Sequence, residues 1–172
     1  MTKAKKYTVR SKVEDKNNTQ NGLDNYDKKI LKVLQNDGRV SYTDLGKQVG
    51  LTTTPCIERV KKLERHGYIQ GYSAKLNAKK LDSGLVVFVQ ISLDRSSKQT
   101  FEQFRNAIQM LDPVQECYLV TGSFDFLVKA RVKDMRAYRD FLEEELLSVP
   151  GVSDSTSIAA METVKETLAV KL

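Results

Sequence analysis

Seven side chains between positions 52 and 65 could meet a polyanion: Thr52, Thr53, Thr54, Glu58, Arg59, Lys62 and Arg65. Arginine and lysine reach guanine edges or phosphates, and threonine hydroxyls reach either. A helix here that buries Ile57, Val60 and Leu63 leaves Thr54, Glu58, Arg59, Lys62 and Arg65 on its exposed faces. Upstream, Gly46 is a small residue suited to a close helix crossing and Gly50 is suited to a turn. Leu45, Val49, Leu51, Ile57 and Val60 are spaced to hold the crossing angle. That spacing is expected of a helix-turn-helix. The competing reading is a plain three-helix bundle with a solvated charged face.

Groups for catalysis are few. His66 is the single histidine and ends a basic helix, where a cap or surface role is expected. Cys56, in the first turn of the third helix, could carry a lowered thiol pKa, but beside Ile57 it is expected to pack as a small hydrophobe. Cys56 and Cys117 make neither a disulfide framework nor a zinc site. Glu143, Glu144 and Glu145 occupy consecutive helix positions that point apart, so a solvated face accounts for them. Asp24 and Asp27 read as helix-start residues rather than a carboxylate pair. No Walker loop, dinucleotide fingerprint or nucleophile elbow occurs in the sequence. The expectation is a non-enzyme with no catalytic residue, metal or cofactor.

Charge favours DNA over the plain bundle. The chain of 172 residues has 28 Lys+Arg against 22 Asp+Glu, a net +6. Residues 1–22 carry +4, residues 23–72 carry +3 and residues 73–172 carry −1. The cationic excess coincides with the helix-turn-helix spacing, which suggests a front half facing nucleic acid. An anionic membrane is the weaker candidate, because no basic amphipathic helix stands out. No apolar run approaches the ~20 residues a membrane span needs. Met1 to Arg10 has no apolar stretch, so no secretory signal is expected there and a cytoplasmic chain is.

These side chains need elements to hold them. Residues 1–22 hold only Tyr7, Val9 and Val13 as sizeable apolar groups, and a flexible basic tail is expected. Asp24 caps a first helix carrying Ile30, Leu31 and Leu34, which stops at Asp37-Gly38. Ser41 and Asp44 resemble a capping box opening a second helix, which Gly50 ends. Thr52 is placed to cap the third, Pro55 fits its first turn, and Gly67 stops it. Residues 68–72 then read as a strand, the wing of a winged helix-turn-helix. Residues 73–84 form a linker.

Beyond the linker the period changes. Leu85 to Leu93 is apolar at nearly every position, as in a strand buried partly on both faces. Gln99 to Met110 puts Phe101, Phe104 and Ile108 on one helical stripe. Val114–Val120 and Phe126–Val132 read as a hairpin around Thr121-Gly122-Ser123. Asp134 caps a helix with Met135, Tyr138, Phe141 and Leu142 inward, ended by Pro150-Gly151, and Val152–Val164 forms the last strand. The order β-α-β-β-α-β is the ferredoxin-like arrangement, so the fold class is α+β. Residues 85–166 form this second domain, with 167–172 a C-terminal tail.

Residues 49–64, Val-Gly-Leu-Thr-Thr-Thr-Pro-Cys-Ile-Glu-Arg-Val-Lys-Lys-Leu-Glu, continued by Gly67 to Tyr72, resemble the Lrp/AsnC (feast/famine) family of bacterial transcription regulators. The later half resembles it too, at Gln115-Glu116-Cys117, Gly122 to Phe126 and Leu147 to Val152. The resemblance covers residues 23 to about 166. It implies a C-terminal domain of the RAM type that pairs strands between subunits into dimers, which assemble into octamers. It also implies a small amino-acid effector bound between dimers near a Gly-x-x-Asp loop. Carried over by position, the loop residues are Gly122 and Asp125, with Leu119, Met135, Ile158, Ala159 and Ala160 nearby. Free N–H groups at the Gly122 turn could hold a carboxylate and Asp125 an α-ammonium, whereas a plain hairpin turn uses the same residue types.

The chain departs from the family pattern at Ile158, Ala159 and Ala160, which replace a tyrosine and two valines, and at Ser123, which replaces an aspartate. These changes alter the pocket's volume and polarity and leave more room, so the effector expected is an amino acid with an apolar side chain, leucine or methionine. The function expected is a homo-oligomeric, nucleoid-associated activator or repressor that binds double-stranded DNA, independently of any membrane. The alternative is an amino-acid-sensing module that acts on a protein partner without sequence-specific DNA binding.

Overall fold

The computed structural model of the chain describes residues 22–94 and 98–172, so the tail expected over residues 1–22 lies almost wholly outside them. The chain divides into two compact units. One runs to Ser73 and takes in Leu168–Leu172; the other spans Ala74–Thr167.

The first unit is three helices, α1 (Asn25–Leu34), α2 (Tyr42–Val49) and α3 (Thr53–Arg65). Asp24 caps α1 in a full capping box: its carboxylate accepts from the Asp27 N–H, and its own N–H donates to the Asp27 carboxylate. Ser41 caps α2 by accepting from the Asp44 N–H, but its hydroxyl then donates to the Asp44 carboxylate, so the box is not reciprocal through the backbone. Gly50 ends α2 at φ +80°, where a side chain would be strained. Ile30, Leu45, Val49, Cys56, Val60 and Leu63 form the core, with Leu31, Leu34 and Ile69 packed beside it.

Three expectations are corrected here. Thr52 is the N-cap residue of α3 but makes no side-chain cap bond. Cys56 is fully buried whereas Ile57 is only partly so, which moves the buried stripe by one position. Residues 68–72 form no strand, and therefore no wing. They are held instead by the Tyr68 and Ile69 N–H groups, which donate to the Leu63 carbonyl at 3.0 and 3.3 Å, and by the Tyr72 side chain. The Tyr72 hydroxyl donates to Glu64 Oε1 at 3.0 Å, and a Cβ on Gly38 would lie 3.3 Å from the Tyr72 ring.

The second unit begins with a 3-10 turn, Ala78–Leu81, inside the expected linker. Strands β1 (Leu85–Leu93), β2 (Val114–Leu119), β3 (Phe126–Val132) and β4 (Val152–Ala159) follow, with helices α4 (Lys98–Ile108) and α5 (Met135–Phe141) between them. They form one antiparallel sheet in the order β2-β3-β1-β4. Val87, Val89 and Ile91 alternate with Phe126, Val128 and Ala130 on one face. Phe104 and Ile108 of α4 and Tyr138 and Phe141 of α5 cover that face.

Strand β1 begins and ends where its apolar run does. Strand β4 stops at Ala159, short of the expected Val164: Val87 pairs with Ala159, and the last bond between the strands is the Ala160 N–H on the Val86 carbonyl. Met135, expected inward, is exposed at the first position of α5. A π turn over Leu142–Leu146 separates α5 from Pro150-Gly151.

Candidate nucleic-acid interface and effector loop

Gly46 allows the α2–α3 crossing. A Cβ there would lie 2.7 Å from the Leu51 carbonyl oxygen, closer than a side chain tolerates, so only glycine lets the turn close. With Cys56, Val60 and Leu63 buried, the opposite face of α3 presents Thr54, Glu58, Lys61 and Arg65, all exposed. Among the described residues none of these four side chains has a protein partner. Lys61 is absent from the positions expected from sequence. Counting the stripe from Ile57 instead of Cys56 turns the exposed face toward Lys62 and hides the 54, 58, 61, 65 row that i, i+4, i+7 spacing generates.

Arg59 and Lys62 sit on the flank of α3 that faces α1. The Arg59 guanidinium donates to Asp24 Oδ2 at 2.6 Å and Asp27 Oδ1 at 2.7 Å and lies 5.4 Å from the centre of the Tyr26 ring. Arg59, expected from the sequence to read bases, is thus held by two carboxylates of α1 in this structure. The Asp27 backbone N–H, and then Arg59, keep the Asp24 carboxyl below the usual carboxylate range. Lys62 is half-buried beside Leu23, Asp27 and His66. Thr53 is half-buried, and Thr52 is exposed at the helix start.

The remaining candidates resolve as structure. His66 Nδ1 lies 2.7 Å from the Lys62 carbonyl and donates to it, closing the end of α3. Burial pushes the Cys56 thiol up, the opposite of activation, and pushes Cys117 up to about 11. Glu143, Glu144 and Glu145 are exposed, and the described residues contain no metal-binding cluster of acids, histidines or cysteines.

In the second unit, Gly122 sits at φ +136° in open space. The loop closes where the Val120 N–H donates to the Asp125 carbonyl and the Asp125 N–H donates to the Ile91 carbonyl, each at 2.9 Å. Asp125 is 7% exposed and its Oδ2 accepts from the Leu93 N–H at 2.8 Å. Asp125, expected from the resemblance to hold an α-ammonium, braces the loop against the end of β1.

The other expected effector positions do not gather in one chain. Leu119 lies on edge strand β2 and Ile158, Ala159 and Ala160 at the opposite edge, three strand spacings or about 14 Å away. Met135 follows the far end of β3, about 20 Å of strand from Phe126.

The sheet face not covered by helices carries a charged network that the sequence reading missed. Lys129 Nζ lies 2.8 Å from Glu116 Oε1 and 3.3 Å from Glu166 Oε1, and Arg131 lies 2.7 Å from Glu166. Lys129 holds the Glu116 carboxyl below its usual range, and Arg131 does the same to Glu166. Residues 160–166 and the sheet enclose a groove of about 410 Å³, floored by Val86 and Phe88. Strand alternation would have put Lys129 and Arg131 on one face, but nothing local pairs them with Glu166.

Residues 23–64 match the AsnC-type helix-turn-helix domain and residues 86–170 match the Lrp/AsnC ligand binding domain. The chain is 52% identical over 154 residues to the leucine-responsive regulatory proteins of Escherichia coli (strain K12) and Klebsiella pneumoniae, covering 90% of this chain and 94% of each of those. A transcriptional regulator from Neisseria meningitidis, solved as a complex with L-Met, superposes with a TM-score of 0.84 at 35% identity. That match covers 87% of this chain and 97% of the other. An AsnC family transcriptional regulator from Agrobacterium tumefaciens does so at 0.83 and 34%, with the same coverage.

Proposed function

The chain belongs to the Lrp/AsnC family, and from that premise we propose that it is a sequence-specific DNA-binding transcription regulator whose DNA binding or assembly responds to a small amino acid. The observation that carries the reading is the unpartnered row Thr54, Glu58, Lys61 and Arg65 on α3, in a unit whose sequence carries +3 over residues 23–72. A helix that ties Arg59 to the carboxylates of α1 but leaves this row in water presents a surface suited to a duplex groove. The alternative, a sensing module acting on a protein partner without DNA, is not favoured, since it leaves the helix-turn-helix without a use.

The working division is a basic tail at 1–22, a DNA-binding domain at 23–72, a linker at 73–84 and an effector and oligomerisation domain at 85–166, with a tail at 167–172. Thr52 and Thr53 at the start of α3 contact phosphate or base edges, and Lys62 contacts phosphate. Gly122 and its neighbours hold the effector, with Leu119, Met135 and Ile158 to Ala160 completing the pocket only when chains assemble. Positions that lie about 14 Å or more apart in one chain suit a composite site in a dimer or octamer. Methionine joins leucine as a candidate because the Neisseria relative was solved with L-Met. The family is one of transcription regulators rather than enzymes, and no helix among the described residues is long and apolar enough to cross a membrane. A DNA-bound regulator would be cytoplasmic and associated with the nucleoid.

The test is protection of genomic promoter fragments from nuclease by the full chain, with and without a panel of amino acids. The reading requires protected stretches at discrete sites, altered by at least one amino acid. Uniform weak retention of all fragments would reject sequence-specific binding.

A further inference from the structure

Glu58 lacks every structural reason for a carboxylate. It is exposed, it lies beyond the first turn of α3 where a negative charge would favour the helix dipole, and it caps nothing. Lys61 and Lys62 stand three and four residues ahead, the spacing of helix ion pairs, yet Glu58 pairs with neither. On a face otherwise made of Thr54, Lys61 and Arg65 it opposes any polyanion the other three attract. Phosphates repel it, and so do the acceptor atoms N7, O6 and O4 that dominate the major-groove edges of guanine, adenine and thymine. The cytosine amino group is the base-edge donor that a glutamate meets best.

The row from Thr54 to Arg65 spans about 16 Å along the helix axis, enough to follow a major groove with Glu58 in its first half. Deepening the proposed function, and resting on it, we infer that Glu58 is a specificity-determining residue. It accepts a hydrogen bond from the amino group of one cytosine and penalises duplexes that place an acceptor or a phosphate there. Lys61 and Arg65 supply attraction that any sequence satisfies, and Glu58 subtracts from it wherever cytosine is missing.

The experiment is selection of preferred sites from a duplex library with a randomised core by the full chain, in parallel for wild type, Glu58→Gln and Glu58→Ala. Retention on random-sequence duplex is measured alongside over a range of salt. Wild type is expected to select a site with cytosine at one contacted position. Glutamine prefers adenine, so Glu58→Gln should exchange cytosine for adenine there, while Glu58→Ala loses about tenfold of the preference at that position. Both variants should bind random duplex more tightly than wild type. Recovery of the same site with the same preference at every position by both variants overturns the inference, even if overall binding strengthens. If wild type itself retains random duplex but selects no site, or retains none, the DNA-regulator reading fails and this inference falls with it.

Discussion

Arg59 Nη1 lies 2.7 Å from Oδ1 of Asp27, whose side chain is only 7% exposed while that of Arg59 is 31% exposed. The pair joins the helix that faces outward to the helix that supports it. Asp24, exposed to solvent, adds a second contact at 2.6 Å but in water its worth is small. The guanidinium is thus a brace whose main anchor is the nearly buried acid.

Arg59→Ala strands Asp27 without its cation and should destabilise the chain by about 1–3 kcal/mol, the cost of an unmet buried acceptor. A double-mutant cycle with Asp27→Asn in urea unfolding should return a positive coupling energy. DNA affinity should fall by the same factor on selected and random duplex, because the variant tilts α3 instead of removing a base contact. A loss confined to selected duplex would make Arg59 a reader after all.

Gly46→Ala and Gly50→Ala separate two costs of a side chain. At position 46 the new Cβ meets the Leu51 carbonyl at 2.7 Å, so the helices must part, at about 1–3 kcal/mol. At position 50 there is open space, and the cost is the left-handed backbone alone, about 1–2 kcal/mol. Thermal melts should show both losses, but only Gly46→Ala should also weaken DNA retention at a temperature where both variants are folded.

Asp125→Ala removes the acceptor for the Leu93 N–H and should cost about 1–3 kcal/mol in unfolding free energy. Asp125→Asn keeps a side-chain acceptor and should lose less. Sedimentation with and without leucine or methionine then divides bracing from contact. An Asn variant that keeps the wild-type ligand response assigns Asp125 to the loop's shape. An Asn variant that folds normally but ignores the ligand makes its charge part of the pocket.

The Glu116–Lys129–Glu166–Arg131 network predicts acid sensitivity. Both glutamates are held below their ordinary range in the fold, so they contribute stability above the unfolded carboxylate pKa of about 4. That contribution is lost as pH falls through the lowered folded values. Lys129 is raised by Glu116, and its share persists below its unfolded pKa and is lost only as pH rises through the raised one. The urea midpoint should therefore drop on acidification below about pH 4, and Glu116→Gln should flatten that drop.

Much of this protein is written locally. Asp24, Ser41 and Asp134 cap helices because each needs only a backbone N–H three residues ahead. Gly50 and Gly67 end helices because the left-handed turn is a single-residue property. The apolar run at Leu85–Leu93 and the alternation at Phe126–Val132 marked strands without reference to anything distant. The family resemblance rests on the same short stretches, and these sufficed for the α+β order and the DNA-regulator reading.

Tertiary structure decided what each charged side chain does. Arg59 and Lys61 are equally cationic in the sequence, and one is taken by carboxylates 32 and 35 positions away while the other is left in water. Asp125 finds the Leu93 N–H 32 positions back. The expected strand at 68–72 found no neighbour to pair with, and the sheet order sent Leu119 and Ile158 to opposite edges. Periodicity names a face to within a residue, which is why Ile57 stood in for Cys56. A hydrogen bond is decided by tenths of an ångström between groups that only the folded chain brings together, and no local pattern carries that information.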